Sequence, residues 1–440
     1  MAVHEVCLSS APYPSRVLHY LDIFRAITRH VTSFFWIGLG PFAVQTLPTT
    51  TACMFDALPR HASVLTRLIK GIDDYFKQYC LRKHSLTWLQ SEVSLIFLSF
   101  IMSGKSLLPG EDRLTTFENL ITVRSTESKD SFTSFSKGIR AGNPQPVAYG
   151  GYVQALCLNA AAATLPEGFS HHGFQGTYLG PTSTTIPVRL VVQRLRSTRT
   201  FQTRLVHAYQ RTSNSEERAT FFAIVDFISA REPDSLIYYA SPRLSYTPAN
   251  QCPDYREHLE ARVQQGTLKP EMYNTFLDSF SSFLPIFEQR FCPEGVGFQN
   301  LWGIDRTAKT SQDALPMAVK STAWWVKSKV AFTDHPDGNA MHKAALVFWL
   351  DAATSFIPLT HSHRFWDSTT ACSSLDVSVR FRSSKFRADE WILIEMCTEG
   401  GGEGRTIAVG KAWNEAGELI ATATQNCILR LREGLASARL

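Results

Sequence analysis

The sequence lacks the motifs that mark several common hydrolase and metal-binding classes. No G-x-S-x-G stretch is present, which argues against an α/β-hydrolase with a nucleophilic serine. No C-x-x-C pair is present, so neither a zinc ribbon nor a thioredoxin-type redox site is indicated. His361-x-His363 and His171-His172 have no third ligand at a suitable spacing, so we interpret these histidines as surface or core residues and predict no metal site.

Signals for export are also missing. The first residues do not combine a basic region with a compact apolar one, so no secretory signal is indicated. The nine cysteines are odd in number and irregular in spacing, which is typical of free thiols in a reducing compartment. We therefore predict that most of them are small buried core residues.

Charge is sparse and only weakly biased in sign. Of the 440 residues 19% are charged, and the formal net charge is +5. Such a mildly basic surface suits an anionic ligand such as a nucleotide or a CoA ester, but it is too weak to indicate a nucleic-acid partner. The hydrophobic content of 44% is typical of a soluble globular protein, and the length allows two or three domains.

A long apolar helix followed by strands occurs twice in the chain. Tyr152–Thr164 is apolar on nearly all sides, which predicts a buried helix, and Ala340–Phe356 has the same character. The predicted strands are Gly173–Leu179, Ile186–Leu195, Thr200–Gln210 and Thr220–Phe227 in the first copy, and Ser374–Phe381, Glu390–Met396, Arg405–Trp413 and Leu419–Leu429 in the second. The copies lie about 190 residues apart, which is too far for a solenoid repeat and fits two fused domains.

This duplication predicts an α+β protein with two domains of similar build. Residues 113–235 are assigned to the first domain and 319–432 to the second. The proline-rich segment 236–318 is predicted to be a linker with one helix at about 254–265. Residues 1–112 are predicted to be an N-terminal extension of unassigned role, with disorder or a mispredicted gene start as alternatives, and residues 433–440 form a tail.

The order of these features resembles the type II acyl-CoA thioesterases. Tyr149-Gly150-Gly151 opens the first helix, and RLRSTRTFQTR at 194–204 is similar to the family's R-L-R-x-G-x-S-F-x-x-R stretch. The second half is similar at 374–378, 389–391 and 421–425, so the resemblance extends from about residue 115 to 432. It implies two fused hot-dog domains, each a long central helix wrapped by an antiparallel β-sheet.

The resemblance also implies a catalytic site. Members of this family hold the hydrolytic water with an Asp, a Thr or Ser, and a Gln of the second domain, which correspond here to Asp351, Ser374 and Gln425. The implied reaction is hydrolysis of acyl-CoA to a free acid and CoA, without a cofactor. Asp351 also stands out by itself, because a carboxylate in the apolar run 344–356 is costly to bury without partners. A buried Asp that bonds only a backbone group or a Ser is the structural alternative.

Thioester hydrolysis needs an aimed water, an acceptor for its proton and donors for the oxyanion. Asp351 can accept the proton while Ser374 and Gln425 orient the water, so no covalent intermediate is required. Gly150 and Gly151 are candidates for substrate binding and for the oxyanion donor, because glycine lets a ligand approach the backbone closely. Two further candidates, Arg196 and Arg199, would bind CoA phosphates, with a solvated strand edge as the alternative.

We therefore predict an acyl-CoA thioesterase that acts on fatty or branched acyl groups. The alternatives are a dedicated acyl-CoA hydrolase of a specialised metabolite pathway and a non-catalytic hot-dog module that binds acyl groups. Ala438-Arg439-Leu440 is close to the S-K-L signal, which predicts recognition by the peroxisomal import receptor and a peroxisomal location, with the cytoplasm as the alternative. Family members commonly form oligomers, so the resemblance also implies a homo-oligomer.

Overall fold

The computed structural model describes residues 116–141, 145–211, 216–229, 236–283, 285–332, 338–383 and 386–434, which all belong to one unit, Leu114–Leu440. The predicted extension at 1–112 and the tripeptide Ala438-Arg439-Leu440 lie outside the described residues. Within the described ranges, no helix is both long and apolar enough to cross a membrane.

The first half of the fold is a buried helix flanked by strands. In chain order it contains α1 (Phe117–Ile121), β1 (Val123–Ser125), β2 (Ser131–Ser134), α2 (Gly150–Ala162), β3 (Phe169–Tyr178), β4 (Arg189–Ser197), β5 (Phe201–Arg211) and β6 (Glu217–Ser229). All residues of α2 from Gly151 to Ala161 are buried, because the sequence is apolar on nearly every side. The helix and four strands predicted for this half are confirmed, whereas the sequence pattern did not indicate α1, β1 and β2.

The second half repeats this arrangement with additional helices. In chain order it contains α3 (Tyr255–Gln264), α4 (Pro270–Phe280), β7 (Phe287–Phe291), α5 (Val296–Gln299), β8 (Thr322–Ser328), α6 (Gly338–Leu350), α7 (Ile357–His361), β9 (Thr369–Ser374), β10 (Asp376–Phe381), β11 (Ile392–Gly402), β12 (Arg405–Asn414) and β13 (Leu419–Leu431). Two predicted boundaries are wrong. The helix ends at Leu350 rather than Phe356, and Ser374 ends β9 instead of starting β10.

One antiparallel sheet runs through both halves. Strands β3 and β10 pair, with Gly176 opposite Val377, and this pair joins the halves. Outward from β3 the strand order is β6, β5, β4, β2 and β1, and outward from β10 it is β13, β12, β11, β8 and β7. The two halves therefore share one topology, which confirms the internal duplication and the hot-dog arrangement.

The two long helices pack directly against each other inside the sheet. The Tyr149 hydroxyl, just before α2, donates to the Phe348 carbonyl of α6 at 2.7 Å. A Cβ atom added at Gly151 would lie only 2.5 Å from that same carbonyl oxygen. Glycine is therefore required at this position for the helices to approach this closely, and the approach brings the start of α2 to the end of α6.

The segment 236–318 is more than the linker that its prolines suggested. The predicted helix near 254–265 is confirmed as α3, and the Asp254 side chain caps it by accepting from the Arg256 and Glu257 amides at 3.0 and 3.2 Å. Beyond α3, strand β7 pairs with β8 along Phe287–Phe291 and extends the sheet. This part of the segment therefore belongs to the second half of the fold.

A lysine is buried within α6. Lys343 is 0% exposed, its Nζ atom donates to the Ser383 carbonyl, and it lies 5.4 and 4.2 Å from the ring centroids of Phe381 and Phe386. Burial lowers the pKa of Lys343 to about 7, and burial together with the nearby Lys343 charge lowers the pKa of His171 to about 3. The folded protein therefore favours the neutral form of both groups.

We expect Lys343→Met to raise the free energy of unfolding at pH 7 by about 1–4 kcal/mol, as seen when buried ionic groups are replaced by apolar side chains. Because the pKa of Lys343 is lower in the folded than in the unfolded chain, the wild type loses stability as the pH falls from about 10.5 to about 7. The variant should lose less over this window. Urea unfolding at several pH values measures this, with exposed Lys269→Met as the control, and an unchanged stability of the variant would contradict it.

Candidate active site

Asp351 lies directly after the last residue of α6, where Ala353 takes a left-handed φ of 64° and the chain turns away. The residue is only 7% exposed. The C-terminal end of its own helix disfavours a negative charge, but the N-terminal end of α2 faces it, and the Gly151 backbone N–H hydrogen-bonds the carboxylate. The position of the carboxylate thus depends on the contact between the two helices.

Three side chains donate to one oxygen of this carboxylate. Asp351 Oδ1 accepts from Gln425 Nε2 at 2.6 Å, from Gln154 Nε2 at 2.7 Å and from the Tyr178 hydroxyl at 3.2 Å. Gln154 Nε2 also donates to the Tyr178 hydroxyl at 2.5 Å. The donors come from α2, β3 and β13, so both halves of the fold supply the partners that a buried carboxylate needs.

The Gln425 amide is held in one orientation by two hydroxyl groups. Gln425 Oε1 accepts from Ser374 Oγ at 2.7 Å and from Thr354 Oγ1 at 2.6 Å. The Gln425 Nε2 atom therefore points at Asp351. Because an amide nitrogen can only donate, it needs a hydrogen-bond acceptor there. The network therefore matches the ionised form of Asp351, which can accept from every donor around it.

Burial and hydrogen bonding act in opposite directions on Asp351. Burial raises the pKa of its carboxyl above the ordinary value, while hydrogen bonds from Gln425, the Gly151 N–H, Tyr178 and Gln154 lower it; burial is the larger effect. The same burial, with the Asp351 charge nearby, raises the pKa of Tyr178. Asp351 is therefore a stronger base than an exposed aspartate and faces a tyrosine that keeps its proton, which suits proton transfer from water.

A cavity of about 490 Å³ opens beside this network. At one end it is lined by Gly150, Tyr178, Asp351 and Ser374, and most of its remaining wall is apolar. Gln425 does not line it and is only 1% exposed. An apolar cavity with a few polar groups at one end is typical of a site for a small, mainly apolar ligand.

The structure brings together most of the residues that the sequence singled out. Asp351, Ser374 and Gln425 form one hydrogen-bonded group, as predicted, and Gly150 lines the cavity next to them. A Cβ atom added at Gly150 would lie 2.4 Å from the Tyr178 hydroxyl oxygen and 2.7 Å from Asp351 Oδ2, so this position excludes any side chain. The Gly151 N–H is taken by Asp351 and does not face a ligand.

Arg196 and Arg199 are not at this site. Ser197 pairs with Gln202, Gln202 with Phe227, and Phe227 with His171, so the two arginines lie at the His171 end of the sheet. Tyr178 is at the other end of β3, about 20 Å away at the usual rise of a strand. Arg196 instead approaches Asp226 at 3.9 Å. The two arginines therefore do not contact the Asp351 group, and both the contact with CoA phosphates and the alternative of a solvated strand edge stay predictions.

Three residues of the site escaped the sequence analysis: Gln154, Tyr178 and Thr354. Gln154 did leave a signal, because it is one of two polar residues in the mainly apolar run of α2, with Asn159, and is 0% exposed in the fold. Thr354 lies three residues after Asp351, within the predicted helix, where a polar residue also interrupts the apolar pattern. Tyr178 left no signal, since its role depends on where β3 ends relative to α6.

His361 and His363 each lie within hydrogen-bond distance of a neighbouring side chain. His361 is buried and its Nε2 lies 3.1 Å from Thr322 Oγ1, while His363 Nε2 lies 2.8 Å from Asp313 Oδ1. In the part of the chain that the structure describes, no group of three or more His, Cys, Asp or Glu residues is arranged to hold a metal ion.

The sequence matches two known domain families in the order expected from the duplication. Residues 140–228 match the acyl-CoA thioesterase N-terminal domain, and residues 242–429 match the acyl-CoA thioesterase C-terminal domain. The second match begins within the segment predicted to be a linker, in agreement with the pairing of β7 and β8.

Individual relatives agree with these matches. The chain is 23% identical to mouse acyl-coenzyme A thioesterase 8 and 22% identical to the human protein, over 295 residues that cover 66% of this chain and 83% of each relative. In fold it is similar to the acyl-CoA thioesterase II TesB2 of Mycobacterium marinum, with a TM-score of 0.51 and 19% identity over 73% of this chain and 99% of that one. The chain therefore belongs to the type II acyl-CoA thioesterase family and is a hydrolase of acyl-CoA thioesters.

Proposed function

We propose that Asp351 is the general base of this thioesterase and that it activates a water molecule for direct attack on the thioester carbon. The observation that carries this proposal is the buried, hydrogen-bonded Asp351 carboxylate with a raised pKa in the wall of a largely apolar cavity. The intact network around it argues against a decayed module that only binds acyl groups. The products are a carboxylic acid and free CoA.

The hydrogen bonds define how the water would be held. The Ser374 O–H is committed to Gln425 Oε1, so Ser374 Oγ offers only a lone pair to the cavity. A water between Ser374 Oγ and Asp351 Oδ2 would donate one proton to each and direct its own lone pair at the thioester carbon. Asp351 takes the proton as the C–O bond forms, and returns it to the CoA sulfur as the C–S bond breaks. Gln425 has no contact with the cavity in this scheme and acts as a positioning residue.

The oxyanion would be bound by the Gly150 backbone N–H. As the first residue of α2, Gly150 has an N–H with no partner within the helix, and it lines the cavity next to Asp351. A helix N-terminus also stabilises developing negative charge. The missing Cβ atom lets the Tyr178 hydroxyl and Asp351 Oδ2 lie close to this backbone.

The cavity offers no activated nucleophile for a covalent route. Ser374 bonds an amide oxygen, which cannot take its proton. Cys372 lines the cavity, but its thiol donates to the Ser355 carbonyl at 3.2 Å, and burial raises its pKa to about 11. A thiol that keeps its proton is a poor nucleophile. Direct attack by water therefore fits these side chains best.

We expect Asp351→Asn to lower kcat for acyl-CoA hydrolysis by about 100-fold or more, because the base is removed while the shape of the side chain is kept. Release of free thiol from short, medium, long and branched acyl-CoAs measures this. Asp226→Asn, a partly exposed aspartate at the far end of the sheet, serves as the matched control and should retain activity. Full activity of Asp351→Asn would leave the thioesterase function in place and remove Asp351 as its base.

We expect Tyr178→Phe to move the acidic limb of the pH–rate profile to higher pH and to lower kcat at neutral pH. The Tyr178 hydroxyl donates to ionised Asp351, so its loss raises the pKa of that carboxyl, and less of the base is then ionised at a given pH. The profile of kcat/KM against pH measures the shift. A lower kcat with an unshifted acidic limb would mean that Tyr178 acts by another route.

The proposed location is the peroxisome, supported by the sequence Ala438-Arg439-Leu440. A fluorescent protein fused to the N-terminus should give a punctate, peroxisomal pattern with the full chain and a diffuse one when these three residues are deleted. A mitochondrial, secretory or diffuse pattern with the intact tripeptide would refute the proposal.

A further inference from the structure

The part of the cavity wall that comes from the second half is mainly aromatic rather than aliphatic. The aliphatic lining residues larger than alanine are Val147, Val153, Leu179 and Pro181, all from the first half. The second half contributes seven rings to the cavity wall: Phe280, Phe283, Phe291, Trp302, Trp324, Phe356 and Trp366. Leu179 is 51% exposed and marks the mouth, whereas Trp302 is buried, with 4% exposed. CoA is charged and remains near the mouth, so the acyl group is the part that meets these rings.

Three of the rings form a nearly parallel stack. Trp302 and Phe356 lie 6.5 Å apart with 24° between their planes, and Phe356 and Trp366 lie 5.0 Å apart with 20°. Trp324 meets Trp302 edge-on at 5.6 Å, and Phe291 also meets it edge-on at 5.6 Å. Flat faces and ring edges in this arrangement favour a planar π system between or against them.

The backbone at Trp302 is strained to hold its ring there. Leu301, Trp302 and Gly303 all have left-handed φ angles, of 52°, 59° and 84°. A non-glycine residue in this conformation is strained, because its Cβ atom comes too close to the following carbonyl oxygen. The buried Asn300 side chain compensates by accepting from the Gly303 N–H at 3.0 Å and donating to the Thr360 carbonyl at 2.8 Å. A Cβ atom at Gly303 would lie 1.9 Å from the Arg364 carbonyl oxygen, so the turn also requires glycine.

We propose that Trp302 is a specificity-determining residue and that the preferred substrates carry a planar, aryl or conjugated group on the distal part of the acyl chain. Backbone strain that is retained at a residue of a binding cavity is expected where the side chain has a ligand to position. A wall of flat ring faces and edges packs more closely against a planar group than against a branched or puckered one. The inference rests on the proposed function, because it concerns the acyl end of the same cavity.

Matched thioesters test this without altering the reacting carbon. 3-Phenylpropanoyl-, 5-phenylpentanoyl- and 7-phenylheptanoyl-CoA are each compared with the cyclohexyl analogue of the same carbon number. The wild type should prefer the phenyl member by about 2- to 10-fold in kcat/KM for at least one length, the size of a favourable aromatic pair. Trp302→Leu should bring that ratio close to one.

The ratio also separates specificity from a general loss of activity. Trp391→Leu is the control, since Trp391 is partly buried under Lys327 and does not line the cavity, and it should keep the wild-type ratio. If Trp302→Leu does not fold, Trp366→Leu removes the other end of the stack and should also lower the ratio.

Two outcomes would overturn the inference alone. One is a wild-type ratio of one or less at all three lengths, with clear hydrolysis of the saturated esters. The other is an unchanged ratio in both tryptophan variants. No thiol release from any of the esters, or from butanoyl-CoA, would instead overturn the proposed function, and this inference with it.

Discussion

The burial of one carboxylate is the constraint on which the rest of the structure depends. Asp351 lies between two apolar helices, so each lone pair that it presents must be satisfied from within the protein. The Gly151 N–H, Gln154, Tyr178 and Gln425 do this, and each comes from an element whose position is fixed by the others. Helix approach, strand register and the orientation of the Gln425 amide are therefore linked through a single acidic group.

Much of the fold could be read from the sequence because its signals are local. The runs at Tyr152–Thr164 and Ala340–Phe356 are apolar on nearly all sides and could only be buried helices, and the alternating strands after each run left one arrangement for both halves. Asp351 was visible as a charge in an apolar run. Ser374 and Gln425 came from the family resemblance alone, since neither differs in its local pattern from an ordinary strand residue.

What the sequence did not reveal depends on contacts between distant segments. The prolines of 236–318 suggested a linker, but Phe283 packs against Phe348 of α6, and Phe283, Phe291 and Trp302 line the cavity. Arg196 follows α2 in the chain. The pairing of β4, β5 and β6 places it at the His171 end of these strands, away from Asp351. Tyr178 became part of the site only through the register of β3 with β10.

The continuous sheet has an evolutionary consequence. Asn159 aligns with Asp351 in the other copy, but it is closed in by α1, where its amide donates to the Ile121 carbonyl at 2.7 Å. In a dimer of identical single domains, every substitution would change both equivalent positions at once. Joining the copies in one chain removes that restriction, so of two equivalent positions one can keep its chemical role while the other becomes structural. The fused chain can therefore have a single site, and each residue of that site can be substituted without the same change in the other copy.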